Sequence, residues 1–376
     1  MSSTILLGSY TDSIHTVYFQ PPSAPGVRDG KLTVGDSHKV MNSPSWVARH
    51  PTFDDLVYTV GEEDGKVAVI RVSADGKTFN VEATASTQGE GPAHCDIVAN
   101  GAALAVANYL GSSVLLIPLL PTGLFSPEED HTVVKLPFNP TDSPLRDLDR
   151  QEKPHPHQVV SVVVDGEFEV WSPDLGSDKV WRFKITTVDG KMGFKLKEDE
   201  SLTGDEGGGP RHILVSSDAK QLYVLNELRP ALLHYEIDSD TSAPVLKSNT
   251  SVLPPTLVGS IASDVPVLAA ELLLVPTKQN KTIVASTRMI TGRDVDALAL
   301  FNLNEQSGEV SFTTHLFPRK GREFRGVGLS KDGQYIVASG QTDGWISVFG
   351  QDPSGEWVEV VEEQVQVEKP TGVLFI

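Results

Sequence analysis

The chain has 376 residues, with 31 lysines and arginines against 50 aspartates and glutamates, a formal charge of −19. That balance argues against nucleic acid or an anionic membrane surface as a partner, so an anionic ligand must be met by basic residues gathered locally. Cys95 is the only cysteine, which excludes an intrachain disulfide and a Cys-rich zinc site and fits a reducing compartment.

The opening stretch, MSSTILLGSY, has no basic n-region and too short an apolar run for a secretory signal. No later segment approaches the roughly 20 apolar residues that span a bilayer, and a cytoplasmic protein is expected. The run TILLGSYTDSIHTVYFQ reads as the later strands of a β-hairpin unit that lacks its first strand. Complete units follow from Pro44, Gly91, Pro154 and Gly209, more loosely from Val265, and clearly from Phe324, at intervals of roughly 46 to 64 residues. Each reads as strand, tight turn, strand, short polar loop, strand, with turn chemistry in VDG (164–166), SSDAK (216–220) and KDG (331–333). Two stretches interrupt the repeat. Residues 117–153 are Pro-rich and charged and read as an extended loop, and residues 254–266 read as a shorter one. The closing KPTGVLFI reads as the first strand of a unit.

No 3.6-residue periodicity is sustained anywhere, so the chain is all-β. Six units plus two terminal fragments that complete a seventh predict one domain over residues 1–376, a seven-bladed β-propeller of four-stranded blades. Pairing of the last strand with the N-terminal strands closes it and removes its exposed edges. A two-domain β-sandwich would leave the repeat unexplained.

In an antiparallel hairpin the residue entering the first strand and the residue leaving the second lie at the same end. Entering positions include His94, His155, His157, Arg211, His212 and Arg325, and leaving positions include Glu62, Asn108, Asp174, Glu227, Arg288 and Gln341. An acidic chain that brings arginines, histidines and a glutamate to one rim has the makings of a site for a small anionic, carbonyl-containing molecule.

GGGPRHILVS followed by LYVLNEL, together with HPHQVV, ANYLGSSV, STRM and FRGVGLSKDGQYIVASGQ, resembles the seven-bladed lactonase family over nearly the whole chain. That family includes bacterial-type 6-phosphogluconolactonases and fungal carboxy-cis,cis-muconate cyclases. The resemblance implies a catalytic set of His157, Arg211, Glu227 and Arg288, and no cofactor or metal is expected. Asn108, His155, His212 and Arg325 are expected to contact substrate, and ANYLG and FRG lean toward the phosphogluconolactonase branch. In lactone hydrolysis one arginine would stabilise the carbonyl oxyanion and the other would hold a substrate carboxylate or phosphate. His157 is the better general base, because an unperturbed imidazole titrates near neutrality, and Glu227 would orient it or the water.

Other readings are open on the residues alone. The same four groups could run lactonisation, in which a carboxylate adds across a conjugated double bond. A non-enzymatic interaction propeller is a second class, although the Gly-His and Trp-Asp signatures of WD40 repeats are absent. A metal-dependent six-bladed gluconolactonase is a third. His155 and His157 form an H-x-H pair, but spacing shows no third metal ligand. Cys95 reads as an inert buried thiol, and GDEGGGP lacks the Gly-Lys-Ser/Thr ending of a phosphate loop.

Overall fold

The computed structural model describes residues 2–238, 243–255, 267–276, 281–290 and 292–376, and its strands turn where the sequence chemistry requires. Asp165 and Gly166, the loop of VDG, have φ of 51° and 81° and join Val160–Val164 to Glu167–Asp174, with Val164 facing Glu167. Two successive positive φ angles make the mirror-image turn that suits strand twist, which few residue pairs other than Asn-Gly and Asp-Gly adopt cheaply. Asp189 and Gly190 repeat it between Lys179–Val188 and Lys191–Leu196.

Among the described residues the strands form seven sheets. Six run consecutively in sequence and begin with Pro44–Arg49, Pro92–Val98, Val160–Val164, Pro210–Val215, Leu268–Pro276 and Phe324–Leu329. The seventh orders Lys31–Lys39, Ser13–Gln20, Ser3–Ser9 and Pro370–Phe375, so both ends of the chain share one sheet, with Ile5 opposite Phe375 and Leu7 opposite Val373. These are the seven blades of a β-propeller built on four strands each, two of them with a further two-residue strand, Leu202–Thr203 on Lys179–Val188 and Val365–Gln366 on Trp345–Gln351, and the terminal strands pair as the sequence predicts. Two details differ. Thr132–Lys135 inside the 117–153 insertion is the fourth strand of its blade, paired with Ser113–Pro118, so only the remainder is loop. The unit starting at Pro154 enters its first strand at Val160, and its HPH stretch is held by a bridge between Pro156 and Asp174. The insertion at 254–266 lies outside the described residues beyond Pro255, as does the unit start at Val265.

The chain falls into two compact units, one of Met1–Val47, Val72–Phe79 and Thr250–Ile376, the other of Ala48–Arg71 and Asn80–Asn249. The single-domain reading of 1–376 stands as a proposal beside this division. In the first unit Ile5, Val17 and Phe19 pack on Val337, Ile346 and Val348, and Val284, Leu298 and Leu300 pack on Phe324, Ile336 and Phe349. In the second, Ala105, Val114 and Leu116 pack on Val170, Trp181 and Phe183, and Trp171 and Val180 on Ile213, Leu222 and Val224. Each core is therefore side chains interleaved between neighbouring sheets, which the alternation of apolar residues along the strands demands.

The second unit also buries charge. Glu169 and Arg182 are 3% and 2% exposed; the carboxylate accepts from Arg182 Nε at 3.0 Å, Lys197 Nζ at 2.8 Å and Trp171 Nε1 at 2.7 Å, and the guanidinium lies 4.7 Å from the Trp171 ring centroid. Burial works against the charge, but Lys197, Arg182 and Trp171 outweigh it and hold the Glu169 carboxyl below its ordinary value.

Two stability tests follow from this packing. In the first unit a Cβ on Gly326 would lie 1.4 Å from the Thr371 carbonyl oxygen, so the FRG glycine is required by the close approach of Phe324–Leu329 to the C-terminal strand. Gly326→Ala is expected to cost about 1–3 kcal/mol or more in denaturant unfolding, and unchanged stability would refute the constraint. Arg182→Met leaves Glu169 buried without its main guanidinium and is expected to cost about 3–5 kcal/mol at pH 7. A carboxyl held low in the folded state stabilises above its unfolded pKa and ceases to as pH falls. The wild-type advantage should therefore shrink below about pH 4 in a melting series.

Candidate active site

The hairpin of Pro210–Val215 and Gln221–Asn226 shows how the sequence builds the site. Pro210 faces Asn226 and His212 faces Leu225, so Arg211 is an extra residue on its strand. Such a bulge re-aims a side chain at a strand end. The Glu227 N–H donates to Gly209 O at 2.8 Å, which returns the chain beside the glycine run. Arg211 Nε and Glu227 Oε2 are then 3.0 Å apart, both side chains nearly closed to solvent. The same shift recurs at Ala93, between the pairs Pro92–Asn108 and His94–Ala107, and in the first unit at Arg325, between Phe324–Gly340 and Gly326–Ser339.

Beside this pair in the second unit stands a row of rings. The His157 centroid is 5.3 Å from His212 and 5.7 Å from Tyr109; His212 is 5.8 Å from His94, and His155 stacks on Tyr109 at 4.4 Å. The HPH stretch is pinned by its backbone. His155 N–H donates to Asp174 Oδ1 at 2.6 Å, Leu175 N–H to His155 O at 3.0 Å, and His157 N–H to Pro173 O at 2.9 Å. His155 turns one ring nitrogen to the Tyr109 carbonyl at 3.0 Å and the other to Glu152 at 3.0 and 3.1 Å, whereas His157 lies between Tyr109 and His212. A second guanidinium arrives from the insertion: Arg150 Nη2 donates to Glu227 Oε1 at 2.6 Å.

The charges follow from these contacts. Burial, then His212 and Arg211, push the His94 imidazole well below its ordinary pKa. Neutral His94 accepts the Val159 N–H at Nδ1, 3.4 Å away. Burial opposes the charge on Arg150, but Glu227 and the Tyr109 hydroxyl outweigh it and hold its pKa above the ordinary range. The Cys95 thiol is raised well above its usual value by burial, which leaves it inert. Burial also pushes the Asp96 carboxyl, on the same strand face as His94, up to about 7. Among the described residues no group of three or more His, Cys, Asp or Glu is placed to hold a metal ion.

His157, Arg211, Glu227, His155 and His212 thus come together in the second unit. Asn108, in the same unit, is fully buried and donates from Nδ2 to Thr87 O at 3.0 Å and Ser113 Oγ at 3.1 Å, so its amide fixes a loop. Asp174, a leaving position, is equally buried and accepts from His155, Gly176 and Ser177 N–H and from Trp181 Nε1. In the first unit Arg288 Nη1 lies 3.6 Å from Glu323 Oε1, and Asp296 accepts the N–H groups of Met289, Ile290 and Glu323 around that pair. Arg325 sits over the Tyr10 ring, 4.9 Å from its centroid. Sequence reasoning missed Arg150, Tyr109 and Asp96. Tyr109 was within reach, since it follows Asn108 in ANYLG; Arg150 had no periodic or motif signal.

Asp96 provides a test of this electrostatic picture. A carboxyl raised in the folded state costs stability as pH rises from the ordinary carboxylate range through 7. Melting of Asp96→Asn against wild type between pH 4 and 9 should show the Asn variant gaining on wild type as pH rises to about 7, with the difference levelling off above it. A pH-independent difference would contradict a raised Asp96 carboxyl.

Against known proteins, the model of the family described as "Lactonase, 7-bladed beta-propeller" matches residues 4–375. A 6-phosphogluconolactonase of Formosa agariphila is 24% identical over 357 residues, 93% of this chain and 92% of its own. One of Bacillus subtilis is 24% identical over 341 residues, 89% of this chain and 88% of its own. The solved periplasmic gluconolactonase of Pseudomonas aeruginosa shares the fold, with a TM-score of 0.80 at 22% identity over 100% of this chain and 99% of its own. With seven matching blades, the motif hairpin in place and a family match that runs from Thr4 to Phe375, the chain belongs to the seven-bladed β-propeller lactonase family.

Proposed function

We propose that the protein hydrolyses the lactone of a phosphorylated sugar acid, of the 6-phosphogluconolactone type, in the cytoplasm. Family membership and the names of its relatives support the reaction class. The observation that carries the residue assignment is that His157 stands between Tyr109 and His212 at the hairpin end where Arg211 faces Glu227. The cytoplasmic assignment rests on a single, buried cysteine; the Pseudomonas neighbour is titled periplasmic, and cell fractionation decides.

In this reading His157 takes a proton from water as its oxygen bonds to the lactone carbonyl carbon. Arg211 meets the negative charge that develops on the carbonyl oxygen, an effect worth a few kcal/mol in a site shielded from water. Collapse of the tetrahedral intermediate breaks the ring C–O bond, and the His157 imidazolium returns the proton to the departing ring oxygen. The product is the open-chain acid. Glu227 faces guanidinium groups on two sides and serves as a fixed anion that orients Arg211. His155, with both nitrogens engaged, holds Tyr109 in place, His212 supports the His157 ring, and Asn108 fixes the loop that carries Tyr109. The family motif also assigns Arg288 to the reaction and Arg325 to substrate binding, and substitution tests both assignments.

The test is a screen of 6-phosphogluconolactone, unphosphorylated gluconolactone and carboxymuconate with product identification, followed by single variants whose fold is checked by circular dichroism. His157→Ala is expected to lower kcat by about 10²- to 10⁴-fold. Arg211→Lys should lower kcat by about 10²- to 10³-fold, because a point charge cannot reproduce the planar two-pronged donor. Folded His157→Ala and Arg211→Lys proteins with full activity would overturn the assignment, and carboxymuconate turnover alone would move the protein to the lactone-forming branch.

A further inference from the structure

The loop part of the insertion, residues 136–153, is built into the second unit rather than draped over it. Gln151 is 1% exposed; its amide nitrogen donates to Leu175 O and Asp178 Oδ1, both at 2.8 Å, and its amide oxygen accepts the Asp147 N–H at 3.0 Å. Arg146 Nη2 donates to Gln151 O at 2.5 Å and Gly176 O at 3.0 Å. The loop backbone also lies on the glycine run: a Cβ on Gly207, whose φ is +70°, would sit 2.0 Å from Leu145 O. Asp178 ties the two together by accepting the Gly207 and Gly209 N–H groups at 2.8 and 2.9 Å. A loop anchored at this many points holds whatever it carries in a defined place.

What it carries is Arg150. Two guanidinium groups face the Glu227 carboxylate, and they differ in access: the Arg211 side chain is 2% exposed and that of Glu227 3%, whereas that of Arg150 is 36% exposed. Two of the four acids on the same loop are engaged elsewhere. Asp147 accepts the Asp149 and Arg150 N–H groups, and Glu152 faces His155. Arg150 also meets Tyr109, whose ring abuts both His155 and His157.

We propose that Arg150 is the residue that selects an anionic substrate, its guanidinium binding the phosphomonoester group that lies remote from the lactone carbonyl. This rests on the lactonase reading and adds the determinant of its substrate class. The planar fork suits two phosphate oxygens, and a phosphate held there is separated by the Tyr109 ring from the imidazole assigned to proton transfer. Glu227 keeps Arg150 aligned before substrate arrives, which lowers the ordering cost of binding.

The experiment compares wild type, Arg150→Met and Arg150→Lys on 6-phosphogluconolactone and unphosphorylated gluconolactone, with calorimetric binding of inorganic phosphate. In Arg150→Met the ratio of kcat/KM for the phosphorylated over the neutral lactone is expected to fall about 10- to 100-fold, carried by KM, with Arg150→Lys in between. A ratio that stays within about threefold of wild type overturns the proposal while leaving the lactonase reading intact. Should Arg150→Met fail to fold, Arg150→Gln takes its place under the same criterion. If wild type hydrolyses neither lactone, the lactonase reading falls and phosphate binding decides the anchor alone. Binding lost in Arg150→Met then supports the anchor, and binding equal in both proteins, or absent from wild type, overturns it.

Discussion

A carboxylate taken out of water costs several kcal/mol unless opposite charge meets it, and the site of the second unit is arranged around that requirement at Glu227. Arg211 meets it from the bulge of the same hairpin and Arg150 from a loop some 77 residues earlier in the chain. The first contact is local and follows from antiparallel pairing. The second needs a long segment to be held against the hairpin end, and the buried Gln151, the glycine run and Asp178 all serve that purpose.

The same physical device recurs where loops must hold a shape without regular hydrogen bonding. Asp174 gathers the N–H groups of His155, Gly176 and Ser177; Asp178 gathers those of Gly207 and Gly209; in the first unit Asp296 gathers those of Met289, Ile290 and Glu323. Loop N–H groups in the interior must find acceptors, and one carboxylate supplies several. In each case burial raises the acid's pKa despite those donors. These three aspartates are therefore scaffolding for the loops they hold, and Asp174 shows that a polar residue at a hairpin end can serve backbone N–H groups and a neighbouring indole.

Bulges complete the arrangement. Ala93 and Arg211 in the second unit and Arg325 in the first occupy corresponding places in their hairpins. Each inserts one residue just after strand entry, which breaks the alternation of side chains at the point where a blade ends. A small residue there is silent, whereas an arginine is turned out of the ladder toward the hairpin end. Equivalent backbone thus carries different chemistry from blade to blade, so the repeat can be read without revealing which of its copies are functional.

The sequence by itself determined the blade count, the hairpin turns and the sharing of one sheet by both chain ends, because these depend on local turn chemistry and on period-two alternation. VDG forms the turn its residues favour, and KPTGVLFI supplies the strand the N-terminal fragment lacks. Hairpin geometry put Arg211, Glu227 and His157 among a dozen entering and leaving residues, and the family motif chose them, together with Arg288, from that set. Only the tertiary structure decided that Arg150 faces Glu227, that Tyr109 meets both Arg150 and His157, that Asn108 is closed in on a loop, and that Gly326 admits the C-terminal strand. Those outcomes depend on contacts between segments far apart in the chain, where neither periodicity nor turn preference carries information about which side chains meet.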